Sequence, residues 1–116
     1  PAIDPKILRV PATEVLLASR NRFALMHELR DEEEPSLEML LTKLGPVDLV
    51  LVEGYKRDAH PKVEAHRAVT GNSLIAPEDP TVRAVASDTP LELDRPVFDL
   101  NDTRAIADFI LAEVGL

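Results

Sequence analysis

The chain has 116 residues, of which 45% are hydrophobic and 29% are charged, a composition typical of one globular domain. It contains no cysteine, which excludes disulfides, thiolate metal sites and a cysteine nucleophile. A formal net charge of −8 disfavours non-specific binding to DNA or RNA, because neutralised phosphates supply most of that affinity.

The first elements predicted along the chain are a lead-in, a strand and a short helix. Three prolines make residues 1–11 an extended lead-in. The short apolar run in residues 12–19 predicts a strand, because it is closed by polar residues. A short helix is expected from Arg20 onward, with Phe23, Met26 and Leu29 on one face.

The best-marked element is a helix that begins after Ser36, a favourable N-cap. Its apolar face follows the helical i, i+3, i+4, i+7 spacing with Leu37, Leu40, Leu41 and Leu44. Gly45, in a left-handed conformation, is expected to end the helix, and Pro46 prevents its continuation. Residues 47–52 then form a nearly continuous apolar run, which predicts a strand buried on both faces of a parallel sheet.

The second half of the chain predicts a hairpin, two further strands and a helix. Residues 62–76 are expected to form an antiparallel β-ribbon, because charged and apolar residues alternate before a Gly-Asn-Ser turn. Residues 82–86 and 96–100 predict short buried strands. Asn101 is expected to be the N-cap of a final helix. This alternation favours an α/β fold: a three-layer, mostly parallel sheet flanked by helices, with the ribbon at one edge.

Two acidic residues, Glu53 and Asp88, lie where predicted strands end, and ligands of open parallel sheets bind at that edge. Glu53 is followed by Gly54, which lets the backbone approach a ligand closely. A buried strand followed by an acid and a glycine is the general form of a Walker B-like element, in which the acid holds Mg²⁺ or its water. The alternative is that Glu53 only forms an ion pair with Lys56 or Arg57.

Lys56 and Arg57 place two cations beside Glu53, where they could neutralise a phosphate or a developing transition-state charge. Hydration in a surface loop is the alternative. Asp88 could accept two hydrogen bonds from the N1 and N2 edge of guanine. It could equally bond nearby backbone in a turn before Pro90.

The three histidines share no metal-binding motif, and we expect His27 to be a surface or packing residue. His60 and His66 have only Glu64 as a neighbouring candidate ligand, which is too few for zinc. Neither a Ser-His-Asp arrangement nor a nucleophile elbow occurs, so no residue is predicted to be catalytic.

Three stretches together resemble the MobB family of molybdopterin-guanine dinucleotide biosynthesis adapter proteins. They are residues 12–30 (ATEVLLASRNRFALMHELR), 47–67 (VDLVLVEGYKRDAHPKVEAHR) and 82–88 (VRAVASD), and the string LVEGYK…PKVEAHR is the most specific part. For residues 12–116 the resemblance implies a P-loop NTPase-like domain. It further implies a GTP-binding accessory protein of molybdenum cofactor biosynthesis, which assists the attachment of GMP to molybdopterin.

The resemblance also implies roles for individual residues. Glu53 and Gly54 would be the Walker B-like pair, with Mg²⁺ held at Glu53 through water, and Asp88 would lie near the guanine base. The residues expected to bind cofactor are therefore Glu53, Gly54, Lys56, Arg57 and Asp88. The residues expected to contact a partner or molybdopterin from the ribbon are Lys62, Glu64, His66 and Arg67. The expected partners are a second copy of the chain and a MobA-like molybdopterin guanylyltransferase.

The sequence departs from the family in one respect, since it contains no GxxxxGK[ST] loop and none of its four glycines precedes a lysine. That loop cradles the phosphates, and its Ser or Thr binds Mg²⁺. We therefore expect either a piece of a longer protein or a naturally shortened relative, with GTP bound weakly and not hydrolysed by this chain alone. The missing core would be replaced by a partner, a dimer or a local rearrangement. The alternative function is an interaction module that binds the guanylyltransferase or molybdopterin without nucleotide.

The expected location is the cytoplasm. No apolar run approaches the roughly 20 residues of a membrane-spanning helix, and no signal peptide is visible. A membrane is therefore not an expected partner.

Overall fold

The computed structural model describes residues 12–116, and the lead-in predicted for residues 1–11 lies outside them. The chain divides into two compact units, the first ending at Gly45 and the second spanning Pro46–Leu116. Across residues 12–116, no helix has the length and apolar character needed to cross a bilayer.

The first unit contains an antiparallel hairpin of strands β1 (Glu14–Ala18) and β2 (Phe23–His27). Strand β1 confirms the strand predicted within residues 12–19. The helix predicted from Arg20 is wrong, because a tight turn returns the chain, with the Ser19 amide donating to the Arg22 carbonyl at 2.8 Å. Exposed and half-buried side chains alternate along both strands, which is the two-residue period of a strand.

Helix α1 (Leu37–Leu41) follows the hairpin, and Ser36 is its N-cap as predicted. The Ser36 hydroxyl oxygen accepts a hydrogen bond from the Met39 amide at 3.1 Å. The helix ends earlier than expected because its last carbonyls are taken by i+3 amides, including the Lys43 amide on the Leu40 carbonyl at 3.0 Å. Gly45 is not among the glycines with positive φ, so its predicted role as a left-handed terminator is wrong.

The second unit is built on a parallel sheet of strands β3 (Lys62–His66), β4 (Val82–Ser87) and β5 (Val97–Asp99), in that order. Strand β4 lies in the centre, and its fully buried Val85 packs with Val82 and Ala76 in the core. The predicted α/β class with a mostly parallel sheet, helices and an antiparallel pair is confirmed.

The location of the antiparallel pair differs from the prediction. Strand β3 pairs with β4 in parallel, and no strand returns from the turn at Gly71, whose φ is +68°. A 3₁₀ turn at Ala68–Thr70 leads into that glycine, and a second one at Ala76–Glu78 packs against β4. The ribbon predicted for residues 62–76 is therefore wrong, and the antiparallel pair is the β1–β2 hairpin.

Residues 47–52 do not form the predicted buried strand. Val47 is 64% exposed and Leu51 is 75% exposed. A strand requires a neighbour for its backbone amides and carbonyls, and the two sheets of residues 12–116 place none beside this segment. The apolar run is thus irregular and partly exposed.

The chain ends in helix α2 (Thr103–Glu113), which packs against β5 through Phe98 and Phe109, with ring centroids 5.4 Å apart. Asp102, not Asn101, is the N-cap, and its carboxylate accepts from the Ala105 amide at 3.1 Å. The backbone N–H of Asn101 instead donates to the Asp99 carboxylate at 2.8 Å. The N-cap therefore lies one residue later than predicted.

Candidate functional site

The carboxyl ends of the three parallel strands meet at one edge of the second unit. His66, Ser87 and Asp99 are in register across β3, β4 and β5. The residues that follow each strand therefore lie at this edge, which we call the strand-end edge. It brings together three of the residues predicted from the sequence, namely His66, Arg67 and Asp88.

Asp88 lies at the centre of the strand-end edge, directly after β4. Its amide donates to the His66 carbonyl at 3.3 Å, and its Oδ1 accepts from the Ala68 amide at 3.0 Å. The second contact is a bond to backbone 20 positions away, and not to the nearby backbone of a turn before Pro90. Asp88 is exposed, and within residues 12–116 its Oδ2 makes no hydrogen bond, so one oxygen remains available to a ligand.

The loop after Asp88 is fixed by the preceding strand. The Ser87 side chain is 3% exposed, and its hydroxyl oxygen accepts from the Thr89 amide at 3.1 Å. The Leu100 amide donates to the Ser87 carbonyl at 2.9 Å from the neighbouring strand end. The Asp88 carboxylate is thus presented by a rigid backbone, which is what a specific contact to a planar base requires.

Glu53 lies in an irregular exposed segment and ends no strand in the described part of the chain, so the strand-end position predicted for it is wrong. Gly54 and Tyr55 follow with φ of +90° and +52°, two consecutive left-handed residues. Lys56 and Arg57 come next and are exposed. Neither forms an ion pair with Glu53 among the described residues, so the alternative reading of Glu53 is not observed either.

Among residues 12–116, no three histidine or carboxylate side chains come together as a metal site. Glu53 therefore offers one carboxylate in an exposed segment. Mg²⁺ is usually bound through one or two carboxylates together with substrate phosphates and waters, so Glu53 could supply one ligand only where a nucleotide supplies the others.

Lys62 is bonded within the fold and does not extend into solvent. Its ammonium group donates to the His60 carbonyl at 3.0 Å, to the Thr81 hydroxyl at 2.7 Å and to the Asp58 carbonyl. These bonds join the loop before β3 to the segment that enters β4. The ammonium group of Lys62 is thus occupied by hydrogen bonds to acceptors of the same chain.

Glu64 is occupied in the same way. Its carboxylate accepts from the Ile75 amide at 2.8 Å and from the Ala76 amide at 2.8 Å, where the second 3₁₀ turn begins. A carboxylate at the start of a helical turn satisfies amides that have no partner within the turn. Of the four residues predicted to contact a partner, only Arg67 is exposed, and His66 is half-buried.

Sequence reasoning missed a polar group at the amino end of β4, formed by Asp79, Thr81 and Arg95. The Asp79 carboxylate accepts from the Thr81 hydroxyl at 2.6 Å, and Arg95 donates to the carbonyls of Asp79 and Val82 at 3.1 and 2.6 Å. The bonds from Thr81, helped by the charges of Lys62 and Arg95, lower the pKa of Asp79. The Asp-Pro-Thr order at 79–81 is a turn signal that could have revealed the first two residues. No local signal marks Arg95.

Comparison with known proteins agrees with the resemblance. The family model described as "Molybdopterin guanine dinucleotide synthesis protein B" matches residues 7–88, beginning within the segment predicted as a lead-in. The molybdopterin-guanine dinucleotide biosynthesis adapter protein of Escherichia coli (strain K12) is 38% identical over 112 residues, covering 91% of this chain and 62% of that protein. Its namesake in Haemophilus influenzae (strain ATCC 51907 / DSM 11121 / KW20 / Rd) is 41% identical over 102 residues, covering 85% and 55% respectively.

The chain spans less than two thirds of the length of these curated relatives. The family match nevertheless covers most of the chain, including the segment with Glu53 and, as its last residue, Asp88. The chain belongs to the MobB family.

Proposed function

We propose that this chain belongs to an adapter protein of molybdopterin guanine dinucleotide biosynthesis, a GTP-binding accessory protein that assists the attachment of GMP to molybdopterin in the cytoplasm. The family match over residues 7–88 carries the proposal. Two relatives, 38% and 41% identical, bear the name of such an adapter.

Asp88 is the residue that we assign to the guanine base. Its exposed carboxylate retains a free Oδ2, and the bond from the Ala68 amide holds Oδ1 in place. Guanine offers two adjacent donors at N1 and N2, of which one would meet the free Oδ2 and the other the remaining lone pair of Oδ1. Lys56 and Arg57 are exposed cations that suit a phosphate, either of the nucleotide or of molybdopterin.

The affinity of this chain for GTP is expected to be low. In P-loop proteins, backbone amides, a lysine and Mg²⁺ hold the β- and γ-phosphates, and the sequence contains no such loop. Losing three charge-assisted hydrogen bonds at roughly 1.5–3 kcal/mol each removes on the order of 4–9 kcal/mol. A micromolar site then becomes about millimolar or weaker, and hydrolysis is not expected.

The second candidate function is an interaction module that binds a MobA-like guanylyltransferase or molybdopterin without nucleotide. The exposure of Lys56, Arg57 and Arg67 favours it, because exposed cations are free to contact a partner. We also propose self-association into a homodimer, since β3 is an edge strand of its sheet. A stable monomer by light scattering would contradict the homodimer.

Calorimetry with GTP and Mg²⁺, on the chain and on Asp88→Asn, tests the nucleotide proposal. We expect a weak signal that Asp88→Asn weakens further, whereas a dissociation constant of about 10 µM or tighter would show that phosphates are held elsewhere. The same titration separates the two candidates, because the interaction module binds no nucleotide.

Binding to the purified guanylyltransferase tests the partner contact that both candidates require. Arg67→Glu and the pair Lys56→Glu, Arg57→Glu should weaken that binding, while Arg104→Glu, at a side chain 91% exposed on α2, is the matched control. Unchanged binding in all variants would remove the interaction module.

A further inference from the structure

The hairpin of the first unit carries a histidine whose two ring nitrogens both face carboxylates. His27 is the last residue of β2 and lies opposite Glu14 of β1 in the register. Its Nδ1 is 3.2 Å from Glu14 Oε1, and its Nε2 is 2.6 Å from Glu32 Oε2. The imidazole therefore bridges the neighbouring strand and the turn that follows its own strand.

This geometry distinguishes the two protonation states of the ring. A neutral imidazole has one N–H and one lone pair, so it donates to one carboxylate and turns a lone pair toward the other. Only the imidazolium donates to both Glu14 and Glu32. The hydrogen bond that His27 donates to Glu32, and after it the one that it donates to Glu14, raise the pKa of His27 above its ordinary value of 6.5. Glu14 from β1 and Glu32 from the turn are the charged groups that face the ring.

The turn after β2 has few other attachments to the hairpin. At the start of the turn, the Glu28 amide donates to the Thr13 carbonyl of the neighbouring chain segment at 2.8 Å. At its end, the Glu32 amide donates to the Leu29 carbonyl within the turn, also at 2.8 Å. Between them Arg30 has a φ of +50°, a left-handed conformation that residues other than glycine seldom adopt. A strained backbone of this kind persists only where surrounding contacts fix it. The contact from Glu32 to His27 is one of those contacts.

We propose that Glu14, His27 and Glu32 form a proton-dependent latch that fastens the turn at residues 28–32 to the β1–β2 hairpin. The latch lies in the first unit, whereas the residues assigned to nucleotide or partner binding belong to the second. Because the folded state raises the pKa of His27, the latch is complete below the ordinary value of 6.5. It weakens as the pH rises through the raised value, when two carboxylates face a neutral ring.

Nuclear magnetic resonance titration of the full chain tests the latch between about pH 5 and pH 9. The ring signal of His27 is assigned by its loss in His27→Gln. We expect the His27 midpoint to lie above 6.5 and the amide signals of residues 29–32 to move with the same midpoint. In His27→Gln these amides should no longer change over that range.

Three variants, each with one carboxylate replaced, show how much each carboxylate contributes to the His27 midpoint and to the response of the turn amides. Glu32→Gln should lower the His27 midpoint most and uncouple the turn amides from it, and Glu14→Gln should lower the midpoint less, because its contact is longer. Glu33→Gln removes an equally exposed charge one residue away and should leave both readouts unchanged. A wild-type midpoint at or below 6.5, turn amides that do not follow the ring, or equal effects of Glu33→Gln and Glu32→Gln would overturn the proposal.

Discussion

Residues 12–45 and residues 46–116 differ in how completely they remove side chains from water. In the first unit no described residue is buried, and the hairpin exposes Leu16, Phe23 and Leu25 on one face. In the second unit β4 is buried along nearly its whole length. The two units therefore rely on different interactions, namely backbone hydrogen bonds of the hairpin in the first and the packing of a buried strand in the second. An isolated two-stranded hairpin is only marginally stable in water.

The largest expected effect comes from shortening a core side chain in the second unit. Val85 is 0% exposed at the centre of β4, so Val85→Ala removes buried apolar surface and leaves a cavity. We expect a loss of about 2–3 kcal/mol in the free energy of unfolding. Urea unfolding followed by circular dichroism measures it.

Leu16→Ala is the matched control in the hairpin, where the side chain is 64% exposed. Its expected cost is within about 0.5 kcal/mol, as for most surface substitutions. Equal costs for the two variants would contradict the distinction between a packed and an unpacked unit.

A smaller effect is expected when Lys62 is replaced. Lys62→Met keeps the aliphatic stem but leaves the Thr81 hydroxyl and two carbonyls without their donor. We expect the free energy of unfolding to fall by about 1–3 kcal/mol. Lys56→Met, at an exposed lysine of the preceding loop, should leave stability unchanged. If both variants unfold at the same urea concentration as the wild type, Lys62 does not hold the loop to β4.

The smallest expected effect is on the free energy of unfolding at acidic pH. Hydrogen bonds from Thr81 lower the pKa of Asp79 below its ordinary 3.8, so its contribution to stability is present above that value and is lost as the pH falls through the lowered one. His27 in the first unit has the opposite sign and loses its contribution as the pH rises. Asp79→Asn should therefore flatten the acid side of the stability profile, measured by urea unfolding at several pH values. Asp31→Asn, in an exposed turn, should leave the profile unchanged.

Elements with a complete local signal were predictable from the sequence. Strands β1, β4 and β5 coincide with short apolar runs between polar residues, and Ser36 stands before a helical leucine pattern. Each of these signals lies within one element. Their prediction did not require knowledge of the neighbours.

Elements whose structure depends on pairing with another strand were not predictable in the same way. Phe23, Met26 and Leu29 fit a helical face, yet pairing with β1 imposes a two-residue period on this segment. For residues 62–76 the turn was recognised, but whether β3 would pair with a returning strand or with β4 depends on contacts distant in sequence. Apolar residues 47–52 have strand composition, and composition does not supply a strand to pair with.

The candidate site divides along the same line. Asp88 was placed correctly at a strand end because the order of β4 and an acid is local. The roles of Lys62 and Glu64 depend on contacts distant in the chain, because Thr81 accepts from Lys62 across 19 positions and Ile75 donates to Glu64 across 11. The sequence shows that a residue on a predicted strand is charged. Only the tertiary structure shows whether hydrogen bonds within the fold occupy that charged group.

The exposed segment at residues 47–52 has a consequence for how the protein behaves at high concentration. A six-residue stretch rich in leucine and valine, with no proline inside it, is the composition that stacks into cross-β assemblies. Asp48 lies within this stretch and Glu53 directly follows it, and such charges act as gatekeepers against intermolecular stacking. The electrostatic repulsion between molecules fades as the pH approaches the sequence pI of 4.8, where the net charge is close to zero. Concentrated solutions are therefore best kept well above that pH.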